Sequence, residues 1–200
     1  PRGARIDWAK LDGAALVALL KDSRPKVRDR AVASLAGKGK DALGPLRTAL
    51  TQTKSKLQAL GALWSLARMR TKDSAGIIRL AFGSPFGQVQ QAGAYVCGLE
   101  RDGESLSGLM GLLRSPHPAI RREAATALGR LGREEACEAL LACQSADRFL
   151  EHAIIYALIE INSPEALRNS LPRKDNAGGP ASHAMRVLWA LNSMPGAQLQ

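Results

Sequence analysis

A small residue followed by an apolar one, Ala127-Leu128, returns along this 200-residue chain as Ser34-Leu35, Ser65-Leu66, Val96-Cys97, Ala157-Leu158 and Ala190-Leu191. Successive copies lie 30 to 33 residues apart. This period constrains the fold more than any other feature, because a unit so short cannot bury its apolar face alone and must stack on copies of itself. In "IRREAATALGRL", counted from step 0 at Ile120, the residues Ile120, Ala124, Ala127, Leu128 and Leu131 fall at steps 0, 4, 7, 8 and 11. Those steps share one face of an α-helix.

Shorter apolar patterns alternate with these helices: "DGAALVALL", "DALGPLRTAL", "DSAGIIRLAF", "ESLSGLMGLL", "REEACEALLA" and "SPEALRNSL". Turn-forming stretches such as "KDSRP", "TQTKS", "RSPHP" and "PRKDNAGGP" follow them. Pro25, Pro85, Pro118 and Pro180 stand at or just before the first turn of a longer helix, where a missing N–H has little consequence. Ser, Asp or Thr near the helix starts can act as caps. The expected fold is all-α, with about six antiparallel helix pairs covering roughly residues 10–37, 40–70, 72–101, 103–132, 133–162 and 163–195 of a single repeat domain. Composition agrees: 46% of residues are hydrophobic but only 4% aromatic, and the weight falls on Ala and Leu, both good helix formers.

Two segments, "DSRPKVRDRAVASLAGKG" and "SPHPAIRREAATALGRLG", resemble HEAT-like repeats, in particular the short bacterial type called phycobilisome-lyase HEAT-like repeats. The resemblance covers about residues 10–195. It implies a right-handed α-solenoid of the armadillo-type superhelix, with the second helix of each pair on the concave side. Such arrays scaffold many activities, so it implies no particular one. A narrower resemblance lies in "DRFLEHAIIYALIEI" and "VLWALNSMPGAQL", which are similar to HEAT arrays of large secreted bacterial proteins. There the array joins a sugar-dehydrogenase-like propeller to a c-type cytochrome domain. No CxxCH haem-attachment motif occurs in this chain. The resemblance therefore implies a connecting array in a periplasmic or secreted setting, with the redox chemistry elsewhere in the parent. The start at Pro1 and the ending "LNSMPGAQLQ" fit an excerpt of a longer, multidomain protein. The longest uncharged apolar run, Ala153 to Ile159, is far short of the roughly 20 residues that span a bilayer.

At 100° per residue the core steps centre near 20°, so step 2 (about 200°) and step 6 (about 240°) look outward as i, i+4 neighbours. Step 6 reads Ala33, Trp64, Tyr95, Thr126, Tyr156 and Trp189 through the six copies. Four of the five Trp and Tyr residues of the chain occupy this one position. Step 2 reads Asp29, Leu60, Gln91, Arg122, His152 and Met185. One reading wedges each ring against the next repeat with only its polar edge wet. The other exposes a ladder whose candidate binding residues are Trp64, Tyr95, Tyr156, Trp189, Gln91, Arg122 and His152. Helices about 8–10 Å apart keep its rings from stacking directly on one another.

Residues 1–80 hold 17 Lys and Arg against 6 Asp, whereas residues 81–170 hold 8 against 11 acidic residues. Arg24, Lys26, Arg28, Lys54 and Lys56 flank two successive turns and form a candidate anion-binding ridge; a solvated edge is the plainer explanation. No catalytic constellation stands out. His152 at step 2 and His183 at step 0 point about 200° apart, so they do not converge on a metal. Glu151 and Glu160 sit at opposite ends of one helix. Cys97, Cys137 and Cys143 make no CxxC and are expected to be buried thiols. "AGGPA" lacks the Lys and helix of a phosphate loop.

The expectation is therefore a scaffold that is not itself an enzyme, without cofactor or metal, binding a protein partner or a neighbouring domain of the same chain. The alternative is a nucleic-acid-binding protein resembling HEAT-like DNA glycosylases and using the basic end. A bilin-lyase-like activity is suggested only by the repeat family's name, and the three cysteines form no acceptor or nucleophile arrangement.

Overall fold

Helix-starting and helix-ending residues recur in this chain with the same period as the core. Asp12 opens α1 (Gly13–Leu19) by accepting from the Ala15 N–H. Pro25 is the first residue of α2 (Pro25–Gly37). Helix α3 spans Leu43–Thr51. Ser55 caps α4 (Lys56–Met69). Thr71 and Ser74 form a reciprocal capping box at α5 (Lys72–Ile78), which satisfies two N–H groups otherwise orphaned at a helix start. Helix α6 runs over Gly87–Leu99 and α7 over Leu106–Leu112. Pro118 opens α8 (Pro118–Leu131). Helix α9 (Cys137–Ala142) precedes α10 (Arg148–Ile161), which Asp147 caps. Pro164 opens α11 (Pro164–Asn169), and α12 covers Ala181–Ser193. These helices come from a computed structural model that describes residues 6–144, 147–170 and 181–194. The expected helix start at Pro180 lies outside the described residues.

The class is all-α, the helix-pair repeat of an α-solenoid: a short helix is followed by a longer one throughout the described chain. Short 3-10 turns precede or follow several of the short helices. The molecule forms two compact units, Pro1–Val96 and Cys97–Gln200. In the first, α1 packs on α2, α2 on α4, α3 on α4 and α4 on α5. In the second, α7 packs on α8, α8 on α10, and α10 on both α9 and α12. The core follows the steps read from the sequence. Ala31, Ala62, Ala124, Ile154 and Val187 at step 4 are buried, as are Leu35, Leu66, Cys97, Leu128, Leu158 and Leu191 at step 8.

Backbone sign changes mark the same register. Positive φ occurs at Gly39, Arg70, Arg101, Gly132 and Asn162, each at step 12 of its repeat. A residue in the left-handed region closes a helix by bonding back to its last turn, as Gly132 and Asn162 do to the Leu128 carbonyl and the Leu158 carbonyl. Gly and Asn are the usual occupants. Arg70 and Arg101 adopt the same conformation against their Cβ preference, so the repeat geometry outweighs the local one there.

A second regularity holds the turns. At step 1, Arg28 donates from Nη1 to the Asp22 carbonyl at 2.7 Å, Gln90 donates from Nε2 to the Ser84 carbonyl at 2.8 Å, and Arg121 donates from Nη1 to the Ser115 carbonyl at 3.2 Å. In each case a long side chain reaches six residues back and ties the turn to its helix. In the second repeat Gln58 takes over from step 0, donating to the Val17 carbonyl of α1 and accepting from the Thr53 hydroxyl.

Candidate functional site

The outward face of the second helices is built by default. Steps 4 and 8 are drawn inward by burial, so steps 2 and 6 must face water. The four rings at step 6 are between 38% and 58% exposed, so none is enclosed between repeats, and those of Tyr156 and Trp189 stand clearest. In the first unit Trp64 of α4 and Tyr95 of α6 meet edge to face, with ring centroids 6.5 Å apart and planes at 67°. Helix spacing keeps these two rings from stacking face to face, but they lean far enough to touch at their edges. An electropositive ring edge against a neighbour's face is a favoured aromatic geometry. In the second unit His152 lies nearly parallel to Tyr156, with centroids 6.2 Å apart and planes at 13°, as i, i+4 spacing on α10 allows. Trp189 and Met185 stand exposed on α12 at the same two steps. Gln91 is half-buried and Arg122 exposed.

Exposure also reaches residues that the two-step pattern missed. Phe149 is the most exposed large apolar side chain described, and Leu188 is exposed beside Trp189. Phe149 lies two turns before Tyr156 on α10, and this i, i+7 relation was the available signal. The remaining Trp, Trp8, lies beneath the guanidinium of Arg30, 4.5 Å from the ring centroid.

The basic ridge divides. Arg24 donates from Nε and Nη2 to the Asp22 carboxylate at 2.9 and 2.8 Å, and Arg28 is held on the turn carbonyls. Lys26, Lys54 and Lys56 are exposed, with no ion-pair partner among the described residues. The Asp22 carboxyl titrates well below its ordinary 3.8, first because Arg24's side chain and backbone N–H both donate to it. A depressed folded-state value contributes stability above the ordinary carboxylate range, which is lost as pH falls toward the depressed value. In an NMR titration the Asp22 carboxyl should stay ionised well below pH 3.8. Arg24→Ala should return it toward that value.

All three cysteines are buried. Burial raises the Cys137 thiol to about 11, with help from Glu134 and Glu135. Burial also raises the Cys143 thiol, whose Sγ donates to the Leu113 carbonyl at 3.6 Å. A thiol kept protonated is a poor nucleophile and a poor metal ligand. The native chain should therefore react slowly with a thiol reagent at pH 8, and all three thiols should react quickly once urea unfolds it.

Among the described residues no three His, Cys, Asp or Glu side chains are placed to hold a metal. The His183 side chain lies outside the described residues. No described helix is long and apolar enough to cross a membrane. An open groove in the first unit, lined by Ala14, Val17, Pro45, Thr48 and Gln52, presents no charged side chain, and the Gln58 amide at its wall is already engaged.

The buried charge of the second unit was not legible in sequence. Arg186 of α12 is 2% exposed. It donates from Nε and Nη2 to both oxygens of Glu151 at 2.7 and 2.6 Å, and from Nη1 to the carbonyls of Leu141 and Cys143 at 3.1 and 2.7 Å. Glu151 occupies step 1 of its repeat, where three other repeats place a donor to the turn. A carboxylate cannot donate, so the next repeat reaches back with an arginine and the carboxylate holds it there.

With this arrangement described, the class of protein is an all-α helical-repeat protein whose second helices carry exposed aromatics in each unit. More particularly, residues 74–159 match the HEAT-repeat family model. Among solved structures, human deoxyhypusine hydroxylase bound to glycerol shares the fold at 18% identity and TM-score 0.54, covering 74% of this chain and 73% of that one. An engineered protein aligns at 18% identity and TM-score 0.49 over 90% and 95% of the two chains. The complex of CpcE and CpcF of phycocyanin lyase from Nostoc aligns at 21% identity and TM-score 0.44 over 92% and 68%. No curated protein matches the chain by sequence.

Proposed function

We propose that the chain is a non-catalytic interaction scaffold, a HEAT-repeat segment whose second-helix faces receive a protein partner or a neighbouring domain of the same polypeptide. The observation that carries this reading is the exposure of Trp64, Tyr95, Tyr156 and Trp189 at one repeated position. Scattered single apolar residues are normal on a surface, but exposed aromatics clustered with Met and Arg have the composition of interface hot spots. The raised thiol values at Cys137 and Cys143 leave these two cysteines poor nucleophiles, which supports a role without turnover.

The test is photo-crosslinking in cells that make the protein, with p-benzoylphenylalanine placed in turn at positions 64, 95, 156 and 189 and, as a control, at exposed Thr51. Discrete polypeptide adducts from the four positions and none from position 51 are expected. Adducts that are absent, or equal at the control, would sink the reading. So would hydrolase, hydroxylase or lyase turnover by the purified chain. The nucleic-acid alternative has less support, because Arg24 and Arg28 of its ridge are tied to Asp22 and to turn carbonyls.

A further inference from the structure

We propose that the second-helix face of the first unit docks an acidic amphipathic protein segment, with its apolar residues on Leu57, Leu60, Trp64 and Tyr95 and its carboxylates on Lys54, Lys56 and Arg68. This rests on the stripe being a protein-docking face and adds the chemistry of the partner.

Leu57, Leu60 and Trp64 stand at i, i+3 and i+7 on α4, one strip about 10 Å long. Leu57 is 47% exposed and Trp64 39%, and Tyr95 widens the strip from α6. An apolar strip of this kind accepts the apolar face of an amphipathic helix. Positive charge brackets it. Lys54 and Lys56 lie at the start of α4, and Arg68 is one turn beyond Trp64. All three are exposed, with no ion pair among the described residues.

The helix dipole accounts for Arg68 in the last turn of α4, but not for the lysines at its start. The helix dipole disfavours a cation in the first turn, yet Lys56 is the first residue of α4. Nor does an ion pair among the described residues neutralise Lys54, Lys56 or Arg68, and Asp29, Asp41 and Asp73 form none with them. Of the 6 Asp among residues 1–80, Asp7 pairs with Lys10, Asp12 caps α1 and Asp22 holds Arg24. An arriving carboxylate would meet the lysines and the helix start together.

A nucleic acid fits less well. Bases stack on exposed ring faces, whereas Trp64 and Tyr95 are inclined at 67° with edge against face, and aliphatic Leu57 and Leu60 occupy the rest of the strip. The charge balance of residues 81–170, 8 basic against 11 acidic, confines the attraction to the first unit.

The test is fluorescence anisotropy of labelled synthetic peptides with the full chain. One is a helical Leu/Phe peptide with Glu at its polar positions, the second has Lys in place of every Glu, and the third is poly-Glu; labelled oligothymidylate is the fourth probe. The Glu amphipathic peptide should bind at least about tenfold tighter than the others, and more weakly as salt rises. Lys54→Glu with Lys56→Glu, and separately Trp64→Ala, should each weaken it by about tenfold or more, while Thr51→Ala should leave it unchanged. All these positions are exposed, so the variants should retain the native circular dichroism. Equal binding of the Glu and Lys peptides, equal binding of poly-Glu, tighter binding of oligothymidylate, or no binding would overturn the proposal. If crosslinks at positions 156 and 189 persist while the Glu peptide fails, the scaffold reading stands and only this partner chemistry falls.

Discussion

Glu151→Ala should destabilise the second unit by about 3–5 kcal/mol, although Glu151 is the more exposed partner. The Arg186 side chain is 2% exposed and that of Glu151 31%. Removing the carboxylate strands a guanidinium among apolar residues, with only the Leu141 and Cys143 carbonyls for company. Removing the arginine instead leaves a carboxylate that water can reach. It also orphans those two carbonyls, at a cost of about 1–3 kcal/mol for each that stays dry. The double variant Glu151→Leu/Arg186→Met should recover part of the loss, because neither charge remains to be desolvated. Urea unfolding of the full chain in a Trp8→Phe/Trp64→Phe background, followed through Trp189 on α12, reads all three. A loss below about 1 kcal/mol in Glu151→Ala would mean that the contact acts by packing rather than by charge.

Gly129→Ala should also destabilise the second unit, by about 1–3 kcal/mol, against the usual sign for a helical glycine. In an unconstrained helix interior this exchange gains roughly 0.5–1 kcal/mol. Here a Cβ on Gly129 would lie 2.8 Å from the Ala157 Cα and 2.6 Å from a Glu160 oxygen. Glu160 can swing away, but the α10 backbone cannot without separating the helices. Gly98 meets Ala127 in the same way, with 2.7 Å to its Cα. In both pairs a glycine at step 9 faces an alanine at step 7 of the next repeat, and the helices cross at that point. Gly111 on α7 has nothing within 4 Å of its would-be Cβ, so Gly111→Ala is the control and should be neutral or stabilising. Thermal unfolding of Gly129→Ala and Gly111→Ala distinguishes close approach from ordinary helix propensity. A stabilised Gly129→Ala variant would refute the close approach.

The helical class and the inward steps were legible because both follow from periodicity. An apolar residue every three or four positions leaves a helix only one way to turn. The exposure of the step-6 rings was not settled by periodicity, because a ring near 240° can lie flat on a neighbouring helix or stand clear of it. That choice depends on the lean of adjacent helices, which also brought Trp64 and Tyr95 into edge contact. The basic ridge was legible as a charge count and misleading as a surface. Local bonds to Asp22 and to turn carbonyls withdrew Arg24 and Arg28, and a count cannot register them.

By itself the sequence determined the repeat: six recurrences of a small–apolar pair and the helix face on which they lie. Local chemistry suffices for that, since helical pitch turns spacing into direction. Only the tertiary structure decided which polar side chains the interior keeps. Nothing local separates Arg186 at step 3 of α12 from Arg30 at step 3 of α2, yet one is buried on Glu151 and the other lies exposed over Trp8. Their difference comes from what the neighbouring repeat presents. Glu151 and two open carbonyls await one arginine, and an indole face awaits the other.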